Sequence, residues 1–273
     1  MASLRSGGLI AAVAVLALAG AAFGANVYTV GGSSPTPGKP SNNKPTPIAL
    51  NFDFQVEDDD PSLRGTPIQA FAIGGEGVVT YPRLFPTCSL SAANGDGHAE
   101  ACRKARVGNG LVQVIVGPPA DRAEKLLCNL KLTLYNLKGV GKRGGMAIRL
   151  DADTKAPPLT DPDDRTINCP VPIHTAIEGR FNAVRIGGAR ASELRFTVPQ
   201  DLLHPTGLDA TVRNTESHIA RRVSKGTVKV AGKRRHVGFY SGIACKGPKR
   251  TIQATFTSEH GDRNVARTQI KRC

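Results

Sequence analysis

Two stretches near the middle of the chain alternate apolar with other residues at a period of two, and that period admits one backbone conformation. Over 111–116, Val112, Val114 and Val116 share a face; over 127–136, Leu130, Leu132 and Leu134 share one, joined by Cys128. Successive side chains point to opposite sides of a strand, whereas a helix would need spacings of three and four. The same alternation begins at Ile48, with Leu50, Phe52 and Phe54 between Ala49, Asn51 and Asp53. Further strands are expected over 68–73, 146–150, 173–181, 194–198, 227–230, 236–240, 251–257 and 265–270. The segment 208–219 reads as one bulged strand or two short ones. No stretch carries a helical period over a helix's length. With 30 glycines and 19 prolines to make turns, the pattern predicts an all-β fold, an antiparallel β-sandwich of jelly-roll type. Aromatic residues are 5% and Trp is absent, so the core has to be built mainly from Val, Leu, Ile and Ala.

The 273 residues divide into three parts. Residues 1–24 carry Arg5, an apolar run from Leu9 to Ala22 and the small residues Ala22 and Gly24 at the positions a signal peptidase reads. This is the layout of a secretory signal, and the run is also near the length of an uncleaved membrane anchor. Residues 25–47 are rich in Pro, Ser and Gly, with Pro35, Pro37, Pro40, Pro45 and Pro47, and read as an extended linker. Residues 48–273 read as a single β-sandwich domain. The expected location is therefore secreted, or tethered to a membrane through the N-terminal segment alone.

Six cysteines in an exported chain are expected to form disulfides, although six permit many connectivities. Pairing between sequence neighbours gives Cys88 with Cys102, Cys128 with Cys169, and Cys245 with Cys273. A closing bridge of the last kind removes about 3.5 kcal/mol of freedom from the unfolded chain. Metal binding is the competing use of cysteine, and the chain has no Cys-x-x-Cys pair, so neither a zinc site nor another cofactor is expected.

The formal charge is +14, and its densest part lies near the C-terminal end. Arg221, Arg222, Lys225, Lys229, Lys233, Arg234, Arg235, Lys246, Lys249 and Arg250 fall within thirty residues. Gly232 to Arg235 reads as the cationic tip of a hairpin. If Lys229, Lys233, Arg234, Arg235, Lys246, Lys249 and Arg250 share a face, the chain binds polyanions with an affinity that falls as salt rises. Spread over solvent-facing positions, they only keep it soluble. Phe239 and Tyr240 are the nearby aromatics, too few for sequence-specific nucleic-acid reading. The expected partner is an anionic cell-envelope polymer or another surface protein.

Catalytic signatures are missing. Gly238, Phe239, Tyr240, Ser241 and Gly242 miss the nucleophile-elbow spacing by one residue. His98, His174, His204, His218, His236 and His260 are scattered singly and read as surface or hydrogen-bonded residues. The acidic runs 57–60 and 151–164 lack a calcium-loop spacing and read as solvated turns. An extracellular hydrolase acting on envelope carbohydrate is the alternative reading, since it needs only two facing carboxylates. Glu178 and Glu193 lie in apolar surroundings, but each has an Arg two residues on, and same-face ion pairs account for them.

Several of these features resemble those of uncharacterised exported proteins of high-GC actinobacteria. The similarity spans 48–273. It rests on Pro67; on Phe85, Pro86, Thr87 and Cys88 followed by Cys102; and on Val107, Gly108, Asn109 and Gly110 before a Val-rich strand. It continues through Tyr135 and Asn136, through Val198, Pro199, Gln200, Asp201 and Leu202, and ends on the pair Cys245 and Cys273. The resemblance implies a secreted β-sandwich and adds no chemistry. Arg103 and Leu137 depart from the pattern, in which Pro and Gly are usual. Cys128 and Cys169 stand outside it, so the resemblance implies that these two form an additional bridge.

Overall fold

The computed structural model describes residues 26–34, 40–141, 143–154 and 159–271. The expected leader, residues 1–24, lies outside them. The chain is all-β and antiparallel. Its strands are β1 (Asn26–Ser33), β2 (Thr46–Pro47), β3 (Leu50–Asp58), β4 (Ile68–Gly75), β5 (Val78–Thr80), β6 (Arg106–Gly117), β7 (Leu126–Leu137) and β8 (Gly145–Ala152). They continue as β9 (Ile173–Ile186), β10 (Ala189–Thr197), β11 (Asp209–Ile219), β12 (Val228–Val230), β13 (Lys233–Arg235), β14 (Tyr240–Gly242), β15 (Lys249–Ser258) and β16 (Arg263–Lys271). Among the described residues three short α-helices interrupt them, α1 (Leu90–Asn94), α2 (His98–Ala101) and α3 (Gln200–Leu203), together with three single 3-10 turns. No helix among the described residues is long and apolar enough to cross a membrane.

Eleven strands form one sheet in the order β1-β3-β11-β6-β7-β8-β9-β10-β4-β15-β16. Both inner faces of the fold come from this one sheet, which curls until its two edges meet. Tyr28 of β1 stacks on Phe256 of β15 with ring centroids 4.5 Å apart. The curl follows from the twist that every strand carries. It also covers the long edges that would otherwise offer unpaired backbone groups. The alternating residues of β6 and β7 point inward as their period demands, and Val112, Val114, Leu130, Leu132 and Leu134 are all buried. Where β6 runs against β11 the backbones nearly touch. A Cβ at Gly110 would lie 1.8 Å from the Glu216 carbonyl oxygen, so only glycine fits there. β11 is one strand with a register shift between Val212 and Asn214, the bulged alternative of the two sequence expectations.

The sheet also begins earlier than the sequence suggests. β1 pairs with β3 along its whole length, from Asn26 opposite Asp58 to Ser33 opposite Asn51. The stretch 26–33 is therefore an edge strand of the sheet and not linker, ahead of Ile48, where the sequence reading began the domain. Tyr28 and Val30 pack into the same apolar cluster as Phe52, Phe54 and Phe256, and this burial holds the strand in place.

Two disulfides have the expected partners, Cys88 with Cys102 and Cys128 with Cys169. The first closes the insert that carries α1 and α2. The second ties the connection between β8 and β9 down onto β7, and closing its loop of 41 residues stabilises the fold by about 4 kcal/mol through the unfolded chain. Cys245 is also disulfide-bonded; Cys273, its expected partner, lies outside the described residues. Such bridges fit an oxidising, extracellular environment.

Candidate polyanion-binding surface

The basic segment builds a separate two-stranded hairpin. β12 and β13 pair through Val228 with Arg235, Lys229 with Arg234, and Val230 with Lys233. The turn is Ala231–Gly232, both residues in the left-handed region with φ of 47° and 79°. A two-residue hairpin with both central residues there matches the twist of its strands, and Gly232 takes that conformation without penalty. Lys233, Arg234 and Arg235 are thus strand residues, one step beyond the tip where the sequence had placed them.

This register sets Lys229 directly opposite Arg234. Both are exposed, as are Lys225 and Lys233. Among the described residues none of these four is in an ion pair with a carboxylate. Like charges facing each other across a strand pair destabilise it, so the hairpin carries unrelieved repulsion. Arg235 is half-buried.

The other expected members of the patch belong elsewhere. Lys246 and Lys249 are exposed but lie at the start of β15, Lys246 just before it and Lys249 as its first residue. Arg221 and Arg222 donate to backbone carbonyls, Arg221 to Pro47 and Arg222 to Lys104 and Arg106. Arg250 is no surface cation at all: it is 0% exposed. It follows the inward period of β15, sharing a side with Ile252, Ala254 and Phe256, all buried. Burial lowers the affinity of its guanidinium for the proton to a pKa of about 10, against the opposing pull of Glu76. Glu76 is itself buried, and accepts from the backbone N–H groups of Lys246 at 2.9 Å and Thr251 at 3.3 Å. This buried pair anchors the start of β15 and leaves five of the seven expected cations exposed, with Arg235 half-buried.

The candidate catalytic side chains are engaged in structure. Ser241 is fully buried, and its hydroxyl accepts from the Gly238 N–H at 2.8 Å. Glu178 pairs with Arg180 and Glu193 with Arg195, the same-face ion pairs expected from the spacing. A recess of about 930 Å³ on the outer face between β9, β10, β4 and β15 has Glu178 as its one carboxylate. The acidic runs make turns and contacts: Asp60 accepts from Ser62, Asp161 from Asp163 and Asp164 from Thr166. Asp58 departs from the expected solvated turn, being buried beside Arg122. Among the described residues no group of three His, Cys, Asp or Glu side chains is arranged to hold a metal.

Two histidine clusters escaped the sequence reading. Asp151 of β8 stands directly across from His174 of β9 and also meets His98 and Arg149. The Tyr135 hydroxyl lies 2.8 Å from His98 Nδ1. Burial pulls the His98 pKa below its ordinary value although Asp151 opposes the shift, and neutral imidazole suits the site because Nδ1 then accepts from Tyr135 while Nε2–H faces Asp151. The second cluster is His204, with Nδ1 3.0 Å from Asp209 and Nε2 2.9 Å from Glu259. These partners are 5 and 55 positions away, a proximity only the tertiary fold creates. No protein-family model matches the chain, and no curated protein or solved structure does either.

Proposed function

We propose that the protein is an exported, cell-surface binding module that holds anionic envelope polymer on its β12–β13 hairpin. The observation that carries this reading is the cross-strand pair Lys229 and Arg234 with no carboxylate between them. Two cations held at that spacing by a rigid turn raise the local potential, and a polyanion laid across them relieves the repulsion and releases its counterions. Lys225 and Lys233 extend the positive strip, and Lys246 and Lys249 add a second exposed cationic segment. The phosphates of a teichoic-type polymer or the sulfates of a glycan supply the matching charge. Recognition of this kind reads charge spacing and not sequence, in keeping with a hairpin that bears no exposed aromatic side chain. Binding to immobilised heparin and to a teichoic-type polymer, titrated with salt, tests it: affinity should fall steeply as salt rises, and an absence of binding at low salt rejects it.

A further inference from the structure

The interior of the curled sheet is not filled. A cavity of about 160 Å³ runs inside it, walled by side chains from most strands of the main sheet and from α3. Its origin is the number of strands. A sheet of eight strands closes around a space that side chains can just fill, and the enclosed width grows with strand number. Here eleven strands surround the core, and although Phe52, Phe54, Phe71, Phe196 and Tyr240 reach the wall beside Val, Leu and Ile, the side chains stop short of one another. Few polar groups reach the wall, and two of those are already engaged: the Ser217 hydroxyl donates to the Phe52 carbonyl and the Ser192 hydroxyl accepts from Thr80. Apolar cavities of about this size stay free of water and accept molecules such as benzene.

The two ends of the curled sheet differ. One is plugged by the small sheet β2-β14-β5, where Tyr240, and Phe239 just before it, are buried against Phe181. At the other, residues 198–208 leave β10 and enter β11, and these strands are far apart in the sheet order. The connection therefore has to cross the mouth, and Leu202, Leu203 and Pro205 line the cavity from above. A chain of charges holds this crossing down. Arg64 meets Asp209 at 3.5 Å, Asp209 meets His204, and His204 meets Glu259 at the end of β15. Beside it Thr206, a β-branched residue, sits at φ 52°, a conformation that stores strain and is found at ligand clamps and switch segments.

We propose that the interior of the curled sheet binds one small uncharged apolar molecule, a hydrocarbon or aromatic of about the size of toluene, admitted where 198–208 crosses the mouth. The site is separate from the cationic hairpin. Titration of the full chain with toluene, followed by methyl NMR, tests it. Saturable binding with shifts at the methyls of Val114, Leu132 and Ile177 is expected. Val114→Phe and Ala210→Leu, each adding bulk to the wall, should weaken it at least tenfold, while Lys229→Ala leaves it unchanged. His204→Ala, which cuts the tie across the mouth, should speed toluene entry several-fold in the exchange line shapes. The proposal fails if the wild-type chain shows no saturable binding or if those core methyls do not shift. It fails also if a folded wall variant binds as the wild type does. An unchanged entry rate in His204→Ala overturns the route.

Discussion

Lys229 faces Arg234 across the β12–β13 hairpin, two cations at a position where strand pairs are stabilised by unlike charges. Lys229→Glu converts this repulsion into an attraction. It should raise stability to denaturant by about 0.5 kcal/mol, within the range of cross-strand pairs, and at the same time weaken polymer binding. Gains and losses of opposite sign in one variant distinguish a charged site from a merely solubilising surface, for which binding would not change.

Arg250 has a structural role. Replacing it with Met removes a buried charge beside Glu76 and leaves that carboxylate without its counterpart. The expected loss is about 3–5 kcal/mol in urea unfolding. Polymer affinity, measured at a temperature where the variant remains folded, should match the wild type. Arg250→Met that loses affinity without losing stability would return Arg250 to the binding surface.

Acid should weaken the fold through His98. Its folded pKa lies below the ordinary value because burial disfavours the imidazolium, with Arg149 and Lys131 adding to the shift and Asp151 and Asp96 opposing it. Below about pH 6.5 the unfolded chain then binds a proton that the folded chain resists. Stability present at neutral pH is lost as pH falls from about 6.5 toward the lower folded value. His98→Gln removes this titration, and thermal melts between about pH 7 and 5.5 should show a flatter dependence than in the wild type.

Ser241 separates the binding reading from hydrolysis. Because its hydroxyl accepts from the buried Gly238 N–H, Ser241→Ala leaves a buried donor unsatisfied and should cost about 1–3 kcal/mol. Turnover of envelope carbohydrate or ester substrates should be absent in the wild type and unaltered in the variant. Ester hydrolysis that disappears with the hydroxyl would contradict this assignment.

The sequence was most legible where one side of a strand is buried and the other is not. β6, β7 and the two strands of the β15–β16 hairpin announce themselves through alternation, and two cysteine pairs through their nearness in sequence. β1 was concealed because Tyr28 and Val30 follow an apolar run and precede a Gly-Pro-rich stretch, and its register comes entirely from β3. Arg250 was misplaced for another reason. Its charge argued for solvent while its position, two residues before Ile252 and four before Ala254, argued for the core, and burial beside Glu76 decides the matter. The positions flanking Gly232 gave the hairpin but not its register, which rests on Ala231 taking an unusual positive φ. Neither histidine cluster could be read, because Asp151 and His174, like His204 and Glu259, meet only once the sheet is assembled.

The central claim is that the hairpin cations bind polyanions as a set. The direct measurement is the salt dependence of binding to a teichoic-type polymer for the wild type and for Lys229→Ala/Arg234→Ala. Each phosphate contact contributes roughly one unit or less to the slope of log affinity against log salt. The double variant should therefore bind more weakly at low salt and lose about two contacts from the slope. An identical slope and affinity in wild type and variant would contradict the account.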